Sequence, residues 1–168
     1  MAKDPAWLMV ARSRLGTREA PGAANSNTIL GWAKRLGSRV LGMIYNADSV
    51  PWCGVFVASC LADESIQAPP IAVRALSWAT WGQSLRSERL APGAILVFER
   101  EGGGHVGFYV GEDASAYHVL GDNQGDAVTI ARILKSRCVA RRWPAGRPVI
   151  GKPVRLAAKD KPVSRDEA

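Results

Sequence analysis

With 168 residues, 47% hydrophobic and 22% charged, the chain is long enough to bury one sizeable core and too short for two comfortable domains. Its net charge of +7 favours an anionic partner, such as lipid head groups or a bacterial envelope. The late basic residues Arg132, Lys135, Arg137, Arg141, Arg142 and Arg147 lack the interleaved aromatics that stack bases, which argues against nucleic acid.

The elements run in a clear order. Trp7 to Gly16 reads as a short helix stopped by glycine, and a turn follows at Pro21-Gly22. Asn25-Ser26-Asn27 caps a second helix, whose apolar positions Ile29, Leu30, Trp32, Ala33 and Leu36 recur at three- and four-residue spacing. Residues 38–50 are mixed and give no assignable element. A third helix begins at Trp52 or Cys53, behind Pro51, and runs to about Asp63. A short helix over Ala75 to Gly82 closes the helical half. After Pro92-Gly93 the apolar period falls to two, predicting strands over Ala94–Phe98, His105–Val110, Ala116–Leu120, Val128–Ile133 and Cys138–Trp143. Helices followed by strands predict an α+β fold with an antiparallel sheet. The domain is expected to span 1–145. Residues 146–168 are expected to form a poorly ordered basic tail, rich in proline and charge and poor in large apolar residues.

The apolar run from Val50 to Ala62 is shorter than the roughly 20 residues of a membrane span. The N-terminus has an acidic residue, Asp4, and a short apolar stretch from Ala6 to Ala11, unlike a secretion signal. The expectation is a chain that accumulates in the cytoplasm. Three cysteines, an odd number, then read as free thiols.

Cys53 sits at a predicted helix N-terminus, where the helix dipole and unpaired N–H groups stabilise a thiolate and an oxyanion. Cys60 lies two turns further along the same helix and Cys138 lies within a strand, so both read as structural. His105 follows Gly102-Gly103-Gly104 and opens a strand. By alternation His105, Gly107 and Tyr109 share one face, while Val106, Phe108 and Val110 share the face turned to the core. Gly107 leaves room beside His105 for substrate or for the Cys53 helix. His118 falls on the opposite parity to Asn123 and reads as structural. Asn123 and Asp122 compete to orient the imidazole. There is no C-x-x-C, H-x-x-x-H or H-E-x-x-H spacing, no acidic calcium loop and no phosphate-binding loop, so neither a metal nor another cofactor is expected.

These residues resemble the CHAP and NlpC/P60 superfamily of cysteine hydrolases, and within it the small phage and prophage members. The resemblance rests on Asp48-Ser49-Val50-Pro51-Trp52-Cys53 with its apolar helix, Ser77-Trp78-Ala79-Thr80-Trp81-Gly82, Pro92-Gly93-Ala94-Ile95-Leu96-Val97-Phe98, Gly104-His105-Val106-Gly107-Phe108-Tyr109-Val110-Gly111 and Gly121-Asp122-Asn123-Gln124. It implies a papain-like fold and cleavage of peptidoglycan amide bonds, with Cys53 as nucleophile, His105 as base and Asn123, in preference to Asp122, as orienting residue. Trp52, Trp78, Gly107, Tyr109 and Asp122 are the candidate substrate contacts. Ala94 departs from the acidic residue common after that glycine, and the acidic loop of calcium-dependent relatives is missing. The implied protein is a monomeric phage endolysin or lysis enzyme, stored in the host cytoplasm and released onto the wall. The rival readings are an antibacterial effector, another cysteine peptidase, or a non-catalytic phage module on the same fold.

Overall fold

The computed structural model describes residues 4–18, 27–37, 52–122, 124, 127–158 and 162–164. Among the described residues three α-helices precede the sheet, namely α1 (Ala6–Ser13), α2 (Asn27–Leu36) and α3 (Cys53–Ala62). The expected short helix is a 3-10 turn over Ala75–Thr80. Six strands follow, β1 (Gln83–Ser84), β2 (Ile95–Arg100), β3 (Gly103–Glu112), β4 (Ala116–Gly121), β5 (Thr129–Leu134) and β6 (Cys138–Trp143). They form one antiparallel sheet in the order β1-β6-β2-β3-β4-β5. The chain is α+β, as its pattern predicts. The two-residue β1 is too short to leave a periodic signal, and residues 38–50 lie outside the described residues.

Helix α3 carries almost nothing but apolar and small side chains, and every residue from Cys53 to Leu61 is buried. Such a helix has to sit inside a protein rather than on its surface. It fills the space between α1, α2 and the sheet. Phe56 meets Phe108 of β3 edge-on at 6.1 Å, and Trp32 of α2 packs over Phe56 and Trp52 at 5.7 and 6.2 Å. Burying an aromatic of this size contributes about 1.5–3 kcal/mol, so this cluster is what seats the helix. At its far end Arg14 lies 4.6 Å over the Trp32 ring and bonds Ser59 and Asp63, joining α1, α2 and α3. Ser59 is thereby satisfied, and Cys60, 3.5 Å from the same guanidinium, is a packed interior thiol.

Strand β3 departs from simple alternation. His105, Val106, Phe108, Tyr109 and Val110 are all buried, so both faces of the strand are covered. Tyr109 packs edge-on against Tyr117 at 5.9 Å and donates its hydroxyl to Glu112 at 2.7 Å. The cover beyond it comes from the C-terminal segment. Val154 donates its N–H to the Tyr109 hydroxyl and its carbonyl accepts from the Glu112 N–H. The Leu156 N–H returns a bond to the Glu112 carbonyl, and the Leu156 side chain lies against Gly111, where a Cβ would overlap it. Further on, Ser164 donates its N–H to the Arg132 carbonyl at 2.7 Å and Val163 bridges Arg132. The described part of 146–168, expected as a loose tail, is thus strapped across the end of β3 and along the edge of β5.

Candidate active site

Helix α3 starts at Cys53 itself, with Trp52 as its N-cap residue, so the thiol occupies the helix N-terminus expected of it. The helix start is pinned from outside. A Cβ on Gly54 would overlap the carbonyl oxygen of Ala72, so only glycine lets the 71–73 segment approach this closely. On the sheet side the Cys53 sulfur takes backbone hydrogen bonding from Val106 and from Gly54. Val106 is the neighbour of His105, and the nucleophile candidate therefore lies directly beside the base candidate's strand.

The environment of that thiol is not the one a helix N-terminus alone predicts. Cys53 is only 3% exposed. Burial pushes its pKa up, and the nearby Asp122 carboxyl adds to the rise. The backbone at Val106 and Gly54 and the Arg100 charge offset this only in part. Desolvation outweighs the dipole here, and the resting group is a thiol.

His105 is fully buried, and its Nε2 lies 3.0 Å from the Gln124 side-chain oxygen. The orientation of Gln124 follows from its other bonds. Its amide nitrogen reaches the Val119 carbonyl at 3.1 Å, the Thr129 carbonyl at 2.8 Å and the Thr129 hydroxyl at 3.2 Å. Two backbone carbonyls can only accept, so the nitrogen must face them and the oxygen must face His105. His105 Nε2 is then the donor, and in the neutral ring Nδ1 carries the lone pair. The pocket is tight as well as polar. A Cβ on Gly121 would come within 3.0 Å of the Gln124 oxygen and 3.4 Å of His105 Nε2, and one on Gly107 would strike Val119. Gly107 leaves room for the neighbouring strand rather than for substrate.

Gln124 is the residue the sequence reading misses. Asn123 lies outside the described residues, and Asp122 makes no bond to His105. Asp122 is fully buried with both carboxylate oxygens lacking a hydrogen-bond partner among the described residues. Burial holds its pKa well above the ordinary carboxylate range, and its charge, where present, acts on the Cys53 thiol. The signal for Gln124 was its length. A glutamine three residues beyond the end of β4 can reach back to the strand where a shorter side chain cannot.

The remaining candidates divide cleanly. Trp52 is fully buried beneath Trp32, and Trp78 is fully buried with its Nε1 donating to the Ala72 carbonyl at 3.0 Å. Tyr109 is turned to Glu112 and the C-terminal strap. As placed, these three aromatics support the fold around the site and present no surface to a ligand. His118 pairs with Asp113 at 2.8 Å and is structural, in line with its strand parity. Cys138 donates to the Ala140 carbonyl at the sheet.

Among the described residues, no group of three or more His, Cys, Asp or Glu side chains is placed to hold a metal ion. No helix among them is long and apolar enough to cross a membrane. The chain matches no protein-family model, and no curated protein matches its sequence.

Proposed function

We propose that the chain is a cysteine amidohydrolase of the CHAP and NlpC/P60 kind, with a papain-like arrangement of helix and sheet, and that it cleaves an amide bond of the peptidoglycan stem. The single observation that carries this reading is the pair His105–Gln124 beside Cys53. The amide bonds of Gln124 select the imidazole tautomer with a basic Nδ1, which is the form a thiol needs in a base. Nδ1 takes the Cys53 proton as sulfur attacks the stem-peptide carbonyl carbon. The oxyanion gathers at the N-terminal N–H groups of α3. The imidazolium then returns its proton to the departing amine, leaving a thioester. Water, deprotonated by the same nitrogen, releases the acid and restores the thiol.

Because the resting group is a thiol, proton transfer and attack are coupled rather than drawn from a standing thiolate–imidazolium pair. The basic surface would favour an anionic envelope, and a phage lysis enzyme held in the host cytoplasm until release is the setting this reading implies. One observation favours the second reading, a non-catalytic module on the same fold: Cys53 and His105 are both closed off from solvent. Digestion of purified peptidoglycan separates the two. Mass spectrometry should show new amine and carboxyl ends with the native chain and none with Cys53→Ala. Equal products from both would end the thiol mechanism, and none from either would favour the module.

A further inference from the structure

Between α3 and the sheet, residues 71–76 are built inside out. Ala72 and Ala75 are buried at 0% and 5% exposure, while the larger Ile71 and Leu76 stand out at 46% and 42%. Ile71 also holds a φ of 56°, in the left-handed region that a β-branched side chain rarely enters. The segment is anchored in that shape by the Trp78 Nε1 bond to the Ala72 carbonyl and by the Arg74 N–H bond to the Ile71 carbonyl, both 3.0 Å. Single exposed aliphatics are ordinary, but the position of these two is not. Ala72 abuts Gly54, next to Cys53, and the Leu76 side chain abuts Gly104, next to His105, closely enough that a Cβ there would come within 2.9 Å of it. The segment that carries Ile71 and Leu76 therefore touches the neighbours of the two residues between which a scissile amide would lie, through Ala72 at Gly54 and through Leu76 itself at Gly104.

Arg100 belongs to the same neighbourhood. Its Nε donates to the Gly104 carbonyl at 3.3 Å, and its charge is felt at the Cys53 sulfur. Among the described residues it carries no ion pair, while Arg12, Arg14, Arg35 and Arg132 each do.

We infer that Ile71, Leu76 and Arg100 form a specificity subsite for an amide substrate that bears an aliphatic side chain and a carboxylate next to the scissile bond. The inference deepens the proposed function and rests on it for the direction of attack. Ile71 and Leu76 receive the aliphatic group, and Arg100 receives the carboxylate. The left-handed turn at Ile71 serves to hold the aliphatic contact outward, where a relaxed backbone would let it fold onto Ala72.

The test uses the full-length chain and three iodoacetylated probes, made from leucine, leucinamide and glycinamide. Each reacts by forming a carbon–sulfur bond at Cys53 and expelling iodide, the thiol proton passing to His105. Adducts at Cys53 are timed by peptide mass spectrometry, which separates them from Cys60 and Cys138. The native chain should prefer leucinamide to glycinamide, and leucine to leucinamide, by about tenfold each, the size of discrimination a small pocket supplies. Ile71→Gly, which also relaxes the backbone, and Leu76→Ala should erase the first preference and keep the second. Arg100→Gln should erase the second and keep the first, and Leu76→Met should keep both. Equal rates for all three probes, no adduct at Cys53 in the folded protein, or variants that slow every probe alike would overturn the subsite. If the probe preferences hold while peptidoglycan is not cut, the wall-hydrolase reading fails and the subsite stands.

Discussion

Gln124 and His105 act as one unit, because the bond between them at 3.0 Å has its direction set by the glutamine's contacts to Val119 and Thr129. The imidazole, carried by β3, is thus oriented from β4 and from the start of β5. Gln124→Ala should therefore cut turnover by about a hundredfold, the lower end of what a positioned base supplies. Gln124→Glu keeps an acceptor for His105 but sets a carboxylate against two carbonyls, so it should lower stability as well as rate. Parallel assay of Asn123→Ala decides between the neighbours, and a larger loss there than in Gln124→Ala would transfer the orienting role to Asn123.

Asp122 offers a separate handle on the thiol. A negative charge at Asp122 opposes the thiolate, so Asp122→Asn should move the Cys53 titration to lower pH, as read by ultraviolet thiolate absorbance. The stability effect has a definite sign. The folded-state pKa of Asp122 lies above its ordinary value of 3.8, so the folded chain binds the proton more tightly than the unfolded one. That contribution is complete below about pH 3.8 and is lost as the pH rises through the folded value. The asparagine variant should accordingly unfold at higher urea concentration than the native chain at pH 7, with a smaller difference at pH 4.

Asp113 runs the other way. The Arg132 guanidinium, followed by His118 and the N–H groups of Ser115 and Ala116, holds its carboxyl far below the ordinary range against a lesser effect of burial. Stability from this group is present above pH 3.8 and falls away as acid titrates the folded carboxylate. Asp113→Asn should cost about 2 kcal/mol at pH 7, the scale of hydrogen bonds to a charged group, and much less near pH 2. A loss that does not shrink in acid would mean that packing, and not charge, is what the substitution removes.

Gly54→Ala tests the close approach behind Cys53. Helix propensity alone would make alanine better by up to about 1 kcal/mol. The added carbon meets the backbone of Ala72, which is itself tied to Trp78, so the net effect should be a loss of about 1–3 kcal/mol, as for other overpacked interiors. Thermal unfolding reads this directly, and an unchanged midpoint would show that the 71–73 segment can retreat.

Most of the fold was legible because its elements are strongly periodic or strongly punctuated. The nearly all-apolar run after Trp52 reads as an interior helix, and Pro92-Gly93 marks the switch to alternating strands, all five of which begin and end within two residues of expectation. The site was legible as far as Cys53 and His105, whose residue types and local elements are set by neighbours in sequence. It stopped at Gly121. Alternation holds only while the strand lasts, and once β4 ends no period encodes where Asp122 and Gln124 face. Burial was the other blind spot. Tyr109 reads as a substrate contact until Val154 and Leu156, remote in sequence, are laid over the end of its strand.

The bridge between Val163 and Arg132 lays residues 162–164 along the outer edge of the sheet. Strand β5 is the last in the sheet, and beyond it an open row of N–H and C=O groups invites pairing with another molecule. The Ser164 bond to the Arg132 carbonyl occupies the middle of that row, and Ile130 and Leu134 on the same strand are exposed apolar residues. A chain shortened to end at Ala158 should keep its Val154 and Leu156 contacts and still self-associate through β5, as light scattering would reveal. Residues 162–164 are then expected to oppose such pairing, however little they touch the candidate site.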